Sequence, residues 1–407
     1  MAKKLSKLAL RLRSMTVLRD LLSDPVMKAL VRTLESISAG TERFVPQYAE
    51  LVSRLYAAGY VSMTEYVRDL VFDSDNIYIR QMGRGKLPDK LLLDGTALDL
   101  DVLSCAAGLD SERILSEAGC TLPLARFESK KINLTDEYSK RAKDVGRFGY
   151  GIVARSRMFC LSDGGRPVPV GSPDPVRLSD LIGYKREKDL ILSNTRALLD
   201  GKPAANILLT GDAGTGKSST VKALVNELWE QGLRIIQVEK SQLRLLPGLL
   251  GELKHNPLKF ILFIDDLSFQ KNDDGFSALK AMLEGSVSVK ADNVAIYATS
   301  NRRHLVKENF SDREGDEIHR RDAMQEAASL SERFGLRITF QRPDKETYLE
   351  IVAALAEAAG LKLPKEELYA GAERFALERS SRSARAARQY VDGLISQQGE
   401  KKETGEE

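Results

Sequence analysis

The stretch NILLTGDAGTGKSSTVKAL, from Asn206 to Leu224, decides how this chain is read. A short apolar, partly β-branched run ends at Thr210. Three glycines then fall within six positions, at Gly211, Gly214 and Gly216, and Lys217, Ser218 and Ser219 open a helical pattern. Backbone freedom directly after a buried strand is what a phosphate cradle needs. Glycines let successive N–H groups of the loop, including those of Asp212, Ala213 and Thr215, curl around a phosphate. The helix N-terminus adds about half a positive charge. The spacing Gly-x-x-x-x-Gly-Lys-Ser is a full P-loop pattern, set between strand and helix as the mechanism demands. Lys217 is placed to reach the β- and γ-phosphates, and Ser218 to bind Mg²⁺ through its hydroxyl.

The surrounding pattern alternates strand and helix. NILLT (206–210), RIIQV (234–238), FILFI (260–264), VAIYA (294–298) and LRITF (336–340) are short apolar runs with helical segments between them. Strands apolar on both faces fit a parallel sheet covered by helices. FILFIDD ends such a strand in Asp265, a carboxylate at the sheet edge where ligands bind in open α/β folds. Asp265 is expected to hold Mg²⁺, and Asp266 to orient or activate the attacking water; a cap for the next helix is the other reading of Asp266. A third strand ends in Thr299, Ser300 and Asn301, whose polar side chains are placed to reach the γ-phosphate or that water. No Asn-Lys-x-Asp guanine-reading motif occurs, which favours adenine.

Length and composition bound the rest. The chain has 407 residues, enough for two or three domains. Its net charge of +3 gives no whole-molecule reason to invoke nucleic acid or membrane. Three scattered cysteines and three histidines without metal-ligand spacing argue against a disulfide framework and a histidine-held metal. No apolar run is long enough for a membrane span, and a cytoplasmic location is expected. Residues 1–174 read as a mostly helical accessory domain that ends in a short β unit of two strands around a glycine turn. Leu5, Leu8, Leu12, Met15, Leu18 and Leu22 form one apolar helix face there. The basic face of Lys3, Lys4, Lys7, Arg11, Arg13 and Arg19 is either solvated or a contact for phosphate backbone or anionic lipid. Residues 175–341 form the α/β core, 342–398 a helical lid, and 399–407 a polar tail expected to be disordered.

Two further features complete the pattern. Arg333 lies just before the last strand, and Arg385 and Arg388 share one face of the last helix. Together with the motifs above, these residues resemble the AAA+ ATPases over roughly Val176 to Leu394. The resemblance implies an α/β P-loop core with a five-stranded parallel sheet and a C-terminal helical lid, and ATP and Mg²⁺ as ligands. It implies a sensor role for Asn301, an arginine finger at Arg333 and a lid sensor at Arg385, with Arg388 the alternative. Leu181, Ile182 and Tyr184 lie where that family frames adenine. YGIVARSRMF, PDPVRLSDLIGY, DDLSF, ALKAMLEG, TSNRRHL, GDEIH and SLSERFGL are similar to a narrower AAA+ family catalogued as a domain of unknown function, DUF815. One departure stands out: most AAA+ enzymes place Glu after the Mg²⁺-binding Asp, and here it is Asp266. A side chain shorter by one methylene sits further from the water, and general-base positioning is distance-sensitive. The implied function is an ATP-hydrolysing remodeller of a protein target, assembled with copies of itself through Arg333. The alternative is an ATP-dependent switch or loader with little turnover. The segment KENFSDREGDEIHRRDAMQE (307–326) reads either as an interface element or as a solvated helix with a loop.

Overall fold

Apolar residues recur at helical spacing through the first part of the chain, and the computed structural model folds that part into ten helices. The structure describes residues 3–267, 274–284, 291–301, 330 and 332–403, in two compact units. Unit one comprises Met1–Arg155 and His255–Leu258. Its helices are α1 (Lys3–Arg13), α2 (Pro25–Ser36), α3 (Thr41–Ala57), α4 (Met63–Phe72), α5 (Ile77–Gly83), α6 (Lys90–Ala107), α7 (Ser111–Glu117), α8 (Leu134–Lys143), α9 (Val145–Phe148) and α10 (Ile152–Arg155). Leu5, Leu8, Leu12, Met15 and Leu18 are buried in its core, with Leu22 packed against it. Asp24 starts α2, its carboxylate accepting from the N–H groups of Val26 and Met27, with proline at the first helical position. Asp99 of α6, 4% exposed, accepts from the N–H groups of Thr16, Val17 and Leu18. A single carboxylate thereby satisfies the backbone of the connection that follows α1.

Unit two comprises Ser156–Lys254 and Lys259–Glu407. Its strands are β1 (Met158–Leu161), β2 (Pro167–Pro169), β3 (Ile207–Gly211), β4 (Leu233–Gln237), β5 (Lys259–Ile264), β6 (Val294–Ser300) and β7 (Leu336–Phe340). They form one sheet in the order β2-β1-β4-β5-β6-β3-β7. The five strands read as the core pair in parallel. Among the described residues this sheet holds seven strands, two more than the five expected. β1 and β2, read from the sequence as a separate β unit of the first domain, extend this sheet. The cause is edge pairing: Met158, Phe159 and Cys160 of β1 lie parallel to Ile235, Ile236 and Gln237 of β4, which covers an edge otherwise left unpaired. β2 then pairs antiparallel with β1.

The helices of unit two are α11 (Lys185–Leu199), α12 (Lys217–Leu228), α13 (Leu246–Leu253), α14 (Asp274–Glu284), α15 (Lys345–Ala358), α16 (Lys365–Glu378) and α17 (Ala384–Glu403). The last three pack on each other around Tyr348, Ile351, Val352, Ala372, Ala387 and Val391. Asp344 begins α15 by accepting from the Thr347 N–H at 2.8 Å. The backbone of α17 stays helical through Glu403, past the point where the sequence suggested a disordered tail, because extending a packed helix needs no new nucleus. Among the described residues, no helix is long and apolar enough to cross a membrane.

Strand order sets the site. β3, which feeds the P-loop, lies between β6 and β7. The carboxyl ends of β3, β5 and β6 therefore deliver Gly211, Asp265 and Asn301 to one edge of the sheet, where ligands bind in such folds.

Candidate functional site

The P-loop takes the shape that its glycines permit. Gly211 has φ +139°, and a Cβ there would lie 2.0 Å from the Phe340 carbonyl oxygen of β7. Only glycine lets the loop leave β3 so close to its neighbour. Gly214 and Gly216 also have positive φ, at +78° and +90°, and Gly216 is the N-cap of α12. The buried Thr215 hydroxyl donates to the Asp212 carbonyl at 2.9 Å and ties the loop across itself. The Asp212 carboxylate pairs with Arg342 Nε at 3.2 Å, an ordinary arginine that carried no signal in the sequence. Ala213 is exposed at the loop's tip, and Ser219 is half-buried in the first turn of α12.

Lys217 is only 5% exposed. Its Nζ donates to the carbonyls of Gly211 and Asp212, both at 2.8 Å, and to Asn301 Oδ1 at 3.0 Å. All three acceptors are neutral. Burial pushes its pKa below the usual lysine value; Asp212, Asp265 and Asp266 oppose that shift, and Arg385 reinforces it. A largely buried cation among neutral acceptors is chemically suited to an anion.

The two aspartates after β5 are held differently. Asp265 Oδ1 accepts from the hydroxyls of Ser218 and Thr299, each at 2.6 Å. Asp266 has φ +53°, a left-handed conformation that aspartate tolerates better than most residues. Its N–H donates to Thr299 Oγ1 at 2.9 Å, and its Oδ1 accepts from Asn301 Nδ2 at 2.8 Å. Asn301 thus joins Asp266 to Lys217. Residues 268–273, the segment that the cap reading of Asp266 concerns, lie outside the described residues. Thr299, read from the sequence as facing phosphate, instead clamps both aspartates.

Ser218 and Asp265 present adjacent hard oxygens, which suit Mg²⁺. Among the described residues no group of three or more His, Cys, Asp or Glu forms a metal cage. That donor set fits Mg²⁺, which keeps waters and phosphate oxygens and takes few protein ligands.

The proposed adenine-framing segment and the last helix meet this loop. Tyr184 has φ +51° and starts α11. Its ring lies 4.9 Å from that of Phe340, and its hydroxyl donates to the Gln341 carbonyl at 2.5 Å. Burial, with Glu187 and Asp212 nearby, pushes its pKa up to about 12, so it stays a neutral donor. Tyr184 packs against the core beneath the sheet, whereas Ile182 packs against the cluster of α15–α17. The Arg385 N–H donates to the Gly214 carbonyl at 3.3 Å, and a Cβ on Gly214 would stand 3.0 Å from Arg385 Cβ. The arginine whose backbone meets the P-loop is therefore Arg385; Arg388 is exposed further along the helix.

Arg333 is half-buried and precedes β7. Phe340, at the other end of that strand, pairs with Gly211. Roughly 13 Å of strand, at about 3.3 Å per residue, lies between Leu336 and Phe340. Arg333 is thus at the opposite end of β7 from its own P-loop. Residues 307–326 lie outside the described residues.

No curated protein matches the chain. Among solved structures it is similar to the Thermotoga maritima RuvB Holliday junction branch migration motor, at 17% identity and a TM-score of 0.37. The match covers 54% of this chain and 63% of that one. Two mutant forms of the same motor match at 17% and 16% identity, each over 54% of this chain and 64% of theirs, with TM-scores of 0.36 and 0.37. The chain thus spans less than two thirds of that motor's length. Residues 155–398, more than half of the sequence, match the family described as protein of unknown function (DUF815), and the chain belongs to that family.

Proposed function

We propose that this protein binds Mg-ATP at the P-loop and hydrolyses it, using the cycle to change the conformation of a protein partner. The observation that carries the reading is the convergence of three loops on Lys217, Ser218, Asp265, Asp266 and Asn301, all joined by hydrogen bonds. The P-loop N–H groups from Gly211 to Ser219 and the Lys217 ammonium hold the β- and γ-phosphates. Ser218 and Asp265 hold Mg²⁺, which neutralises phosphate charge when bound. Asp266 orients the attacking water and takes its proton, with Asn301 fixing that carboxylate. Ile182 and Tyr184 frame adenine, and Arg385 follows the phosphates from the helical lid.

Arg333 lies at the wrong end of β7 for its own phosphates. It serves as the finger for a neighbouring copy, so the active form is a homo-oligomer. The test is phosphate release measured across protein concentration for wild type, Lys217→Ala and Arg333→Ala. Lys217→Ala is expected to lose ATP binding. Arg333→Ala is expected to keep binding and lose turnover, and wild-type activity per subunit is expected to rise with concentration. Flat specific activity in a proven monomer, together with a fully active Arg333→Ala, rejects the shared site. The short Asp266 favours a second reading, a nucleotide-dependent switch or loader; binding with negligible turnover, even with partner present, selects it.

A further inference from the structure

Unit one contains a half-open cavity of about 600 Å³, lined within that unit by Tyr60, Tyr66, Phe72, Asp73, Arg141 and Arg155, with Asp24 and Asp69 at its wall. Its size falls in the range of small-molecule sites. Hydrogen-bond accounting shows what it lacks. Every carboxylate on the wall already has donors. Asp24 accepts from two backbone N–H groups and from the Tyr66 hydroxyl at 2.7 Å. Asp69 accepts from the Tyr60 hydroxyl at 3.0 Å and from Arg68. Asp73 accepts from Arg155 Nε at 2.7 Å.

The donors are in surplus. Arg141 donates through Nε to the Phe72 carbonyl at 3.3 Å, while its Nη2 stays 3.8 Å from Asp73, beyond hydrogen-bond range. Its guanidinium is fixed between the rings of Phe72 and Phe148, at 5.0 and 4.6 Å. Arg155 uses only Nε on Asp73. Among the described residues, the terminal nitrogens of both arginines have no hydrogen-bond acceptor. Two guanidinium forks beside one cavity suit an oxyanion. Tyr60 and Tyr66 meet edge to face at 5.2 Å and offer an aromatic wall for the rest of a ligand.

We propose that this cavity binds a small ligand bearing an oxyanion, a carboxylate or a phosphate monoester, held by the terminal nitrogens of Arg141 and Arg155 with its body against Tyr60 and Tyr66. One shift agrees with this: burial lowers the Arg141 pKa, so the cation gains from an anion.

The test uses the full chain carrying Lys217→Ala, so that the P-loop does not compete. Benzoate and phenyl phosphate are titrated in by calorimetry. At least one is expected to saturate with one site per chain, and the tighter of the two identifies the oxyanion. Arg155→Gln, a change at an exposed side chain, and Arg141→Gln are each expected to weaken that binding about tenfold or more. The proposal is overturned if neither anion saturates in the millimolar range. It is equally overturned if Arg155→Gln binds as tightly as its parent, or if methylguanidinium saturates the cavity where the anions do not.

Discussion

Thr299 touches no proposed ligand, yet replacing it with valine should disable the site. Its hydroxyl donates to Asp265 Oδ1 at 2.6 Å and accepts from the Asp266 N–H at 2.9 Å. The residue is 2% exposed, so valine fits its volume while removing both bonds. Each bond is worth about 0.5–1.5 kcal/mol net, more where a charged group takes part. Both aspartates are exposed, and water replaces part of the loss. A destabilisation of about 1–2 kcal/mol follows. The larger effect falls on geometry. The Asp266 N–H bond to Thr299 helps hold that residue in its left-handed conformation. Once released, its carboxylate drifts from Asn301, and a displacement near 1 Å can cost about 10²-fold in rate. Thr299→Val should therefore bind ATP within a few-fold of wild type, read by Trp229 fluorescence at the end of α12, and release phosphate about a hundred times more slowly. Thr299→Ser keeps the hydroxyl and should recover most of the rate. A valine variant with wild-type turnover would refute the claim that this clamp positions Asp266.

Three other outcomes follow from particular contacts. Because burial lowers the Lys217 pKa and a bound phosphate raises it, ATP binding should take up protons as pH climbs through the lowered value. Affinity should be full below that pH and fall above it; calorimetry in two buffers of different ionisation enthalpy reads the uptake, and Lys217→Met should abolish it. Gly211→Ala puts a Cβ 2.0 Å from the Phe340 carbonyl in a backbone conformation that L-residues avoid, so the variant should unfold at clearly lower denaturant concentration, whereas Ala at the exposed Gly201 should cost far less. Asp99→Ala strands three N–H groups in unit one and should cost about 3 kcal/mol or more in urea unfolding; a loss under about 1 kcal/mol would show that water replaces the carboxylate.

The parts of this molecule that were legible in the sequence are those where one chemical demand fixes several neighbouring residues. A P-loop needs glycines at set spacing after a strand, and Gly211, Gly214 and Gly216 show it without reference to any distant residue. Asp265 and Asn301 were legible because both end apolar runs, and strand ends in such sheets share an edge. What stayed hidden depends on pairing between distant segments. Nothing in MFCL or PVP says that β1 will join β4 rather than stand with its own hairpin; that choice belongs to the open edge of β4. The Asp212–Arg342 pair joins residues with no shared pattern. The cavity in unit one draws its two arginines from α8 and α10 and its tyrosines from around α4, and no single stretch of sequence holds that juxtaposition.

The contacts around Gly214 suggest how a change at the P-loop reaches the three C-terminal helices. The Gly214 carbonyl accepts the Arg385 N–H at the first turn of α17, and the missing side chain of Gly214 is what lets Arg385 and Ser383 come so close. A second link runs from Ile182 to Tyr184. The former packs on α15–α17 and the latter on the core beneath the sheet, and the Tyr184 hydroxyl binds the carbonyl of Gln341, just before α15 begins. Both links are short, and both pass through residues with positive φ, Gly214 in one and Gly183 and Tyr184 in the other. The glycines adopt this conformation freely, whereas Tyr184 keeps it because surrounding contacts hold it there. On the proposed reading, a phosphate held by the loop acts on contacts shared by sheet and helices. At its base the loop is held close to β7, with Gly211 against the Phe340 carbonyl. On the same proposed reading, α15–α17 are the part that nucleotide binding repositions, which a remodeller and a switch both require.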